Sequence, residues 1–365
     1  MAATPIGKAS VNDVLITRIA KSFFEVLRGS LVLTKCGIVD YSADFKEAGE
    51  SVKVASIGDF TAANADPDSA VAIQNSTLTA GTITLDKYVP VDFIIKDIAE
   101  AVSGMNLIEN YSRSAAGAII QSIEETIGDI FDDTYFAAVG TATFSDSAVA
   151  VVGVGTKFTK YNVGAMVKTA GGATGRIATI TDDTHMTMAA NMAADEAGVA
   201  FSVSREVTFA SNASFDDTVI RKARKVLVDA KVAESGRVLL CNTDDYDDLL
   251  GDTKYTAADS MNMGMLVNGA LGRIRGFSVF ESNNFDKSHS VAFTPAALGI
   301  AFRPFKPVND GGVVSKIITD PVTGIPLRVM MSYDAANRGY RISLDILYGV
   351  KLFKPEWTCR IYQTA

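Results

Sequence analysis

Histidine, tryptophan and cysteine are scarce in this chain of 365 residues, at two, one and three copies. With only His185 and His289 available, no histidine cluster can form within one subunit, so a histidine-ligated metal centre is not expected. No GxSxG stands near a usable histidine, which removes the usual serine hydrolase pattern. Cys36, Cys241 and Cys359 lie far apart and form no CxxC pair, so neither a disulfide framework nor a thiolate metal site is suggested, and a reducing cytoplasm suits them. Long apolar runs are missing too. The longest, around 148–154, is far below the roughly 18 residues of a membrane span. The opening MAATPIGKASVNDVLITRIA lacks a charged start followed by an apolar core, so no signal peptide is expected, and the sequons at Asn75 and Asn212 carry no meaning without one. Basic residues are not in excess either: the net charge of -8 argues against tight wrapping of nucleic acid.

What is present is the balance of a folded protein, with 48% hydrophobic and 21% charged residues. The length allows one large or two modest domains. Val14, Leu15, Ile19, Phe23, Val26 and Leu27 share a helical face, which reads as an N-terminal arm with a short amphipathic helix. From Ser51 the pattern changes to two-residue alternation in SVKVASI, and it returns from Thr77 as TLTAGTITLDKYVPVDFII. Between them DFTAANADPDSAVAIQN is too polar to pack, so a long β-hairpin with a polar tip is expected. A lone hairpin is marginal in water and needs partners on another chain.

Over 104–133, Leu107, Tyr111, Ala115, Ile119, Ile123, Ile127 and Ile130 recur at helical intervals, which predicts a spine helix of about 30 residues. Over 140–205 the composition shifts to Gly, Thr, Ala and Val in short alternating runs, predicting an inserted β-rich module, a compact barrel or sandwich. GVGTKF and GGATGR within it complete no phosphate-binding loop and read as turns, and the acidic pair before His185 reads as a turn and not as a cation site. His289 falls in an expected loop. Beyond the insert, Ser214 and Asp217 form a candidate capping box for a helix with Val219, Ile220, Ala223, Val226 and Leu227 on one face. Its other face carries Arg221, Lys222, Arg224 and Lys225, which suit DNA or a neighbouring subunit but more often mark a solvated side. RVLLC reads as a buried strand and TDDYDDLLG as a short helix whose Asp244 and Asp245 cap its dipole, while Asp132 and Asp133 read as solvent-facing. The segment LRVMMSYDAANRGYRISLDILYGVKLF reads as a long antiparallel hairpin turning near 337–339. No solenoid or propeller period is present.

In this order the pieces ESVKV, ITLDKYVPVDFIIKDIAEA, NLIENYSRSAAGAI, LVDAKVAESGRVLL, NGALGRIRGFSVFESNNF, AFTPAALGIAF and YRISLDILYGVKLFKPEW resemble the major capsid proteins of tailed phages. The resemblance implies an α+β chain of the Hong Kong 97-type fold. Its expected parts are an N-terminal arm (1–48), an extended hairpin loop (49–90), a peripheral domain with the spine helix (91–139) and the inserted β-rich domain (140–205). A mainly axial domain (206–334) and return strands to the periphery (335–365) complete the division. It further implies a non-enzymatic, self-assembling shell subunit without cofactor, metal or membrane, forming hexamers and pentamers in a virion capsid built in the host cytoplasm. Portal and scaffolding proteins, a decoration protein and enclosed double-stranded DNA held without sequence-specific contacts are the expected partners, and mild acidity suits a wall that does not grip its contents. Candidate inter-subunit contacts are Phe60, Asp66, Pro67 and Asp68 on the hairpin, Arg273 and Arg275 in the axial region, and Trp357 near the end. Some members weld their shells by a Lys to Asn bond. Here 59–77 holds no lysine, with only Lys53 and Lys87 flanking it, so packing or the insert would take that role. Rival readings are an encapsulin-like compartment shell and, in another class, a β-rich tail or adhesin protein.

Overall fold

A computed structural model describes residues 8–30, 32, 36, 39–42, 51–57, 78–97, 107–210, 213–256, 271–282, 289–308 and 312–364. Helix α1 spans Lys8–Ser30 and α2 spans Leu107–Asp132. Helix α3 spans Asp217–Asp229 and α4 spans Thr243–Gly251. In α1 the buried stripe is Ile16, Ile19, Ala20, Phe23, Phe24 and Leu27, while the expected Leu15 and Val26 are only half-buried. The 26 residues of α2 are about 39 Å long at ~1.5 Å per residue, somewhat shorter than the sequence suggests. Ala115, Ile119, Ile123 and Ile127 are buried as expected, but Tyr111 is 50% exposed, Ile130 is half-buried, and Phe131 closes the stripe. A strict four-residue row turns by about 40° per step, so its early members leave the face that its later members occupy.

The contacts divide the chain into two units, one of residues 1–20, 40–108 and 299–353 and the other of 21–39, 109–298 and 354–365. In the first, the strand Gly339–Leu352 is the centre of a sheet, flanked antiparallel by Pro326–Asp334 and by Lys87–Lys96. Leu298–Arg303 and Val313–Thr319 extend it. Ser51–Ile57 and Leu78–Thr84 form the expected hairpin, an unbroken antiparallel ladder from Ser51 opposite Thr84 to Ile57 opposite Leu78. Its tip, with Phe60, Asp66, Pro67 and Asp68, lies outside the described residues, as do Asn75 and Asn212.

The second unit is built on a mixed sheet in the order Glu206–Ala210, Thr358–Thr364, His289–Phe293, Val238–Cys241, Phe277–Glu281, Arg273–Ile274. Helix α3 covers it with Val219, Ile220, Ala223, Val226 and Leu227, which join Val207, Leu239, Cys241 and Ile361 in one core. Four sequence readings need correction here. The cap of α3 is Asp216, whose carboxylate accepts from the backbone N–H groups of Thr218 at 3.0 Å and Val219 at 3.2 Å, and not a Ser214 box. His289 opens a strand and is buried; its segment is covered on both faces and so shows no alternation. The axial segment does not run on to 334, because 298–334 hydrogen-bonds into the first unit's sheet. The final strand does not return there either: Thr358–Thr364 sits between Glu206–Ala210 and His289–Phe293, parallel to the former. Helix α2 clusters with this second unit, its Phe131 ring 4.9 Å from that of Phe293.

The insert closes into a barrel. Phe136–Ala137 and Thr141–Phe144 pair with Phe201–Ser204 and Glu196–Val199, and Phe201–Ser204 pairs on its other side with Met166–Thr169. Thr174–Ile180, His185–Met188 and Ala150–Val154 complete the circuit back to Thr141–Phe144. One bent run, 196–204, thus serves both seams, and Gly198 at φ 61° supplies the bend that a side-chain-bearing residue adopts only with strain. Phe144, Phe158 and Phe201 fill the interior with Val167, Ile177 and Met186, the Phe201 ring lying 5.8 Å from Phe144 and 5.9 Å from Phe158.

Candidate inter-subunit surfaces

The hairpin is held to its unit by close backbone approach. A Cβ at Gly349 would overlap the carbonyl oxygen of Thr84, and one at Gly81 would overlap the Phe353 ring. Ile83, Leu85 and Ala301 form a small core beneath it with Tyr41, Val54, Leu347 and Phe353 packed around. Among the described residues the hairpin's two strands pair only with each other, which leaves both outer edges open to a further chain. Among the described residues, strand Lys87–Lys96 pairs with one neighbour only, and it exposes Tyr88 and Ile94. Tyr88 is fixed in place. Its hydroxyl donates to Asp345 at 3.3 Å, and its ring meets Phe305 edge-on at 5.3 Å. Asp345, 1% exposed, accepts a forked pair of bonds from Arg328, whose guanidinium lies 4.3 Å over Phe305.

Of the sequence candidates, Arg273 is exposed in the edge strand Arg273–Ile274. Arg275, at φ 50° in the turn that follows, is committed within the chain: Nε and Nη2 donate to the two oxygens of Asp217 at 2.7 and 2.8 Å. Asp217 is buried, also accepts from the Tyr255 hydroxyl at 2.8 Å, and is held below the usual carboxylate range chiefly by Arg275. The residue expected to close a capping box therefore anchors this turn to α3. Trp357 is half-buried against the second unit's core with Lys354 Nζ 3.8 Å over its ring. No hydrogen bond or ring contact among the described residues joins it to either arginine.

Sequence reasoning missed one heavily tied group. Glu206, fully buried, stands where the insert returns to the body. Arg176 of the barrel donates to its Oε2 at 2.9 Å, Arg360 of the last strand to its Oε1 at 2.5 Å, and the Ser204 hydroxyl to the same Oε1 at 2.8 Å. Arg360 also donates to the carbonyl of Asp132 at the end of α2. Burial works against the Arg360 charge, yet the Glu206 carboxylate outweighs it and holds that guanidinium above its ordinary value. One carboxylate thus fixes barrel, spine helix and terminal strand together; removing one partner of such a buried pair costs about 3–5 kcal/mol. A lone Glu between GVAFSVSR and VTFA gives no sequence signal, because its partners lie 30 and 154 residues away.

The acidic pair on α4 also differs from expectation. Asn242 is the cap, accepting from Asp245 N–H at 2.7 Å, and Asp245 turns inward to accept from Ser290. Burial pushes Asp245 up to about 6, against the Ser290 bond, with Asp248 and Asp244 adding to the rise. Asp132 is exposed, as expected, but lies 3.3 Å from His289 Nε2. Cys36, Cys241 and Cys359 are buried free thiols, and burial pushes Cys359 up to about 12. Exposed His185 bonds the Asp182 carboxylate at 3.0 Å, and no metal-holding group of side chains occurs among the described residues. No helix among them is long and apolar enough to cross a membrane.

A long helix, a hairpin set apart from the sheets, one predominantly antiparallel and one mixed sheet, and a barrel inserted after the helix define the Hong Kong 97-type fold. Comparison with known proteins agrees. Residues 163–303 match the family described as Phage capsid protein. A solved structure from Mycobacterium phage Che8 is 18% identical, with 86% of this chain and 85% of that chain covered at a TM-score of 0.51. The capsid of Cyanophage P-SCSP1u is 10% identical, with coverage of 90% and 86% at 0.55. The mature capsid of bacteriophage PhiM1 is 10% identical, with coverage of 89% and 85% at 0.51. No curated protein matches the chain.

Proposed function

We propose that this chain is the major capsid protein of a tailed phage, assembling as hexamers and pentamers into the icosahedral head shell around the double-stranded genome. The observation that carries the reading is the match of 90% and 89% of the chain to two solved phage capsids, together with the family match over 163–303. The hairpin supports it. A two-stranded ladder alone is marginal in water, and its open edges find partners where copies lie side by side. In this reading the hairpin (49–90) and arm (1–48) lie across neighbours, Arg273 and Trp357 face adjoining copies, and the barrel is an accessory module. The subunit performs no catalysis; it assembles in the host cytoplasm with a scaffold and a portal, a decoration protein is an added partner, and the acidic wall holds DNA without reading it.

Electron microscopy of the purified protein tests this. Closed shells or ring-shaped capsomers are the expected result, and a compact monomer that persists at high concentration overturns it. Particles from infected cells should contain DNA and carry a portal at one vertex; enclosed enzymes would instead favour a bacterial compartment shell.

A further inference from the structure

Helix α3 carries charges that its own unit leaves unused. Arg224 is paired, 2.9 Å from Glu234, but Lys222 and Lys225, one turn apart and exposed, have no ion-pair partner among the described residues. Both line a cleft of about 740 Å³ between α3 and the barrel, whose other walls include Ile177, Val207 and Val226. Val163, also on the cleft, is 61% exposed. Arg176, already paired with Glu206, and Asp229 also line the cleft, so its cations outnumber its one carboxylate. That balance suits an acidic segment, because the lysines supply attraction and the apolar walls give area to bury.

The same unit presents such a segment. The four aspartates of α4 divide by role: Asp245 is bonded to Ser290, and Asp248 accepts from the Phe215 N–H at 2.8 Å. Asp244 and Asp247 are exposed and have no ion-pair partner among the described residues. Two unused cations and two unused anions thus sit on different elements of one compact unit. A contact between unlike faces, repeated from copy to copy, is the kind that closes a ring.

We propose that the α3 cleft of one copy receives the exposed acidic face of α4 from a second copy, Lys222 and Lys225 facing Asp244 and Asp247, as the head-to-tail joint within each ring of subunits. The proposal rests on the shell reading and names the contact that reading leaves open. Because the paired groups are exposed, the joint weakens with salt, over a screening length of about 8 Å at physiological ionic strength.

Charge exchange tests it. If the unaltered full chain forms neither rings nor shells, the shell reading fails and this joint fails with it. If it assembles, Lys222→Glu with Lys225→Glu is expected to lower ring yield by about tenfold or more, since facing like charges cost several kcal/mol. Asp244→Lys with Asp247→Lys should do the same, and combining all four substitutions should restore assembly. Normal assembly of either reversed chain overturns the joint. Loss in both without recovery in the combination overturns the pairing and assigns the lysines to another partner, such as nucleic-acid phosphates. Lys222→Gln with Lys225→Gln guards against misfolding: it removes attraction without adding repulsion, and the expected result is a partial loss that no longer varies with salt, while full salt-dependent assembly counts against the joint.

Discussion

Asp245 is the residue whose ionisation most directly bears on stability. Burial holds it at about 6, so between the ordinary carboxylate range and that value the folded chain binds more protons than the unfolded one. The sign follows: this contribution is complete below about pH 4 and is lost as pH rises through about 6, on the order of 3 kcal/mol in all. Asp245→Asn, which keeps a polar group toward Ser290, should remove that loss. Urea unfolding of dissociated subunits at pH 4.5 and pH 7.5 measures it, and an equal pH dependence in both proteins would refute the assignment. The sequence showed the aspartate pair but not its fate. Helix-start acids usually face water, and only Ser290, 45 residues on, turns Asp245 inward. Glu206 was illegible for the same reason, since its meaning lies in Arg176 and Arg360 and not in its neighbours.

The hairpin and α2 were the most legible elements, because period-two and near-four-residue patterns write themselves into SVKVASI and the Ala115 to Ile127 row. What the patterns did not carry was phase: Tyr111 and Ile130 belong to the periodicity but not to the buried face. The seat of the hairpin was also hidden, because a close approach leaves only glycine as its mark. Gly349→Ala should destabilise the subunit by about 1–3 kcal/mol, as overpacking against backbone does. Gly117→Ala, on α2 with open space around it, should be neutral or stabilising by about 0.5–1 kcal/mol. Thermal unfolding of the two variants compares them directly, and an unchanged Gly349→Ala midpoint would mean that the ribbon is not seated there.

The order of parts along the whole molecule was readable, whereas its partition into sheets was not. Parallel pairing of Glu206–Ala210 with Thr358–Thr364 joins segments that no local pattern connects. The insert was readable as a composition shift, and its attachment explains why it behaves as a module: Phe136–Ala137 and Ser202–Val203 are paired, so entry and exit lie side by side. Replacing 141–200 by a short glycine linker should therefore leave the rest of the fold intact, with Glu206 still neutralised by Arg360, but weaken assembly, because it removes the barrel wall of the α3 cleft. Electron microscopy and a melting curve check this, and an aggregated product would show that the barrel is needed for folding. The barrel's two seams matter once more when copies crowd together. Because Phe201–Ser204 is paired on both sides and Glu196–Val199 on one, the described ladder leaves only short end strands open, so in the proposed shell neighbouring barrels have little backbone by which to zip particle to particle.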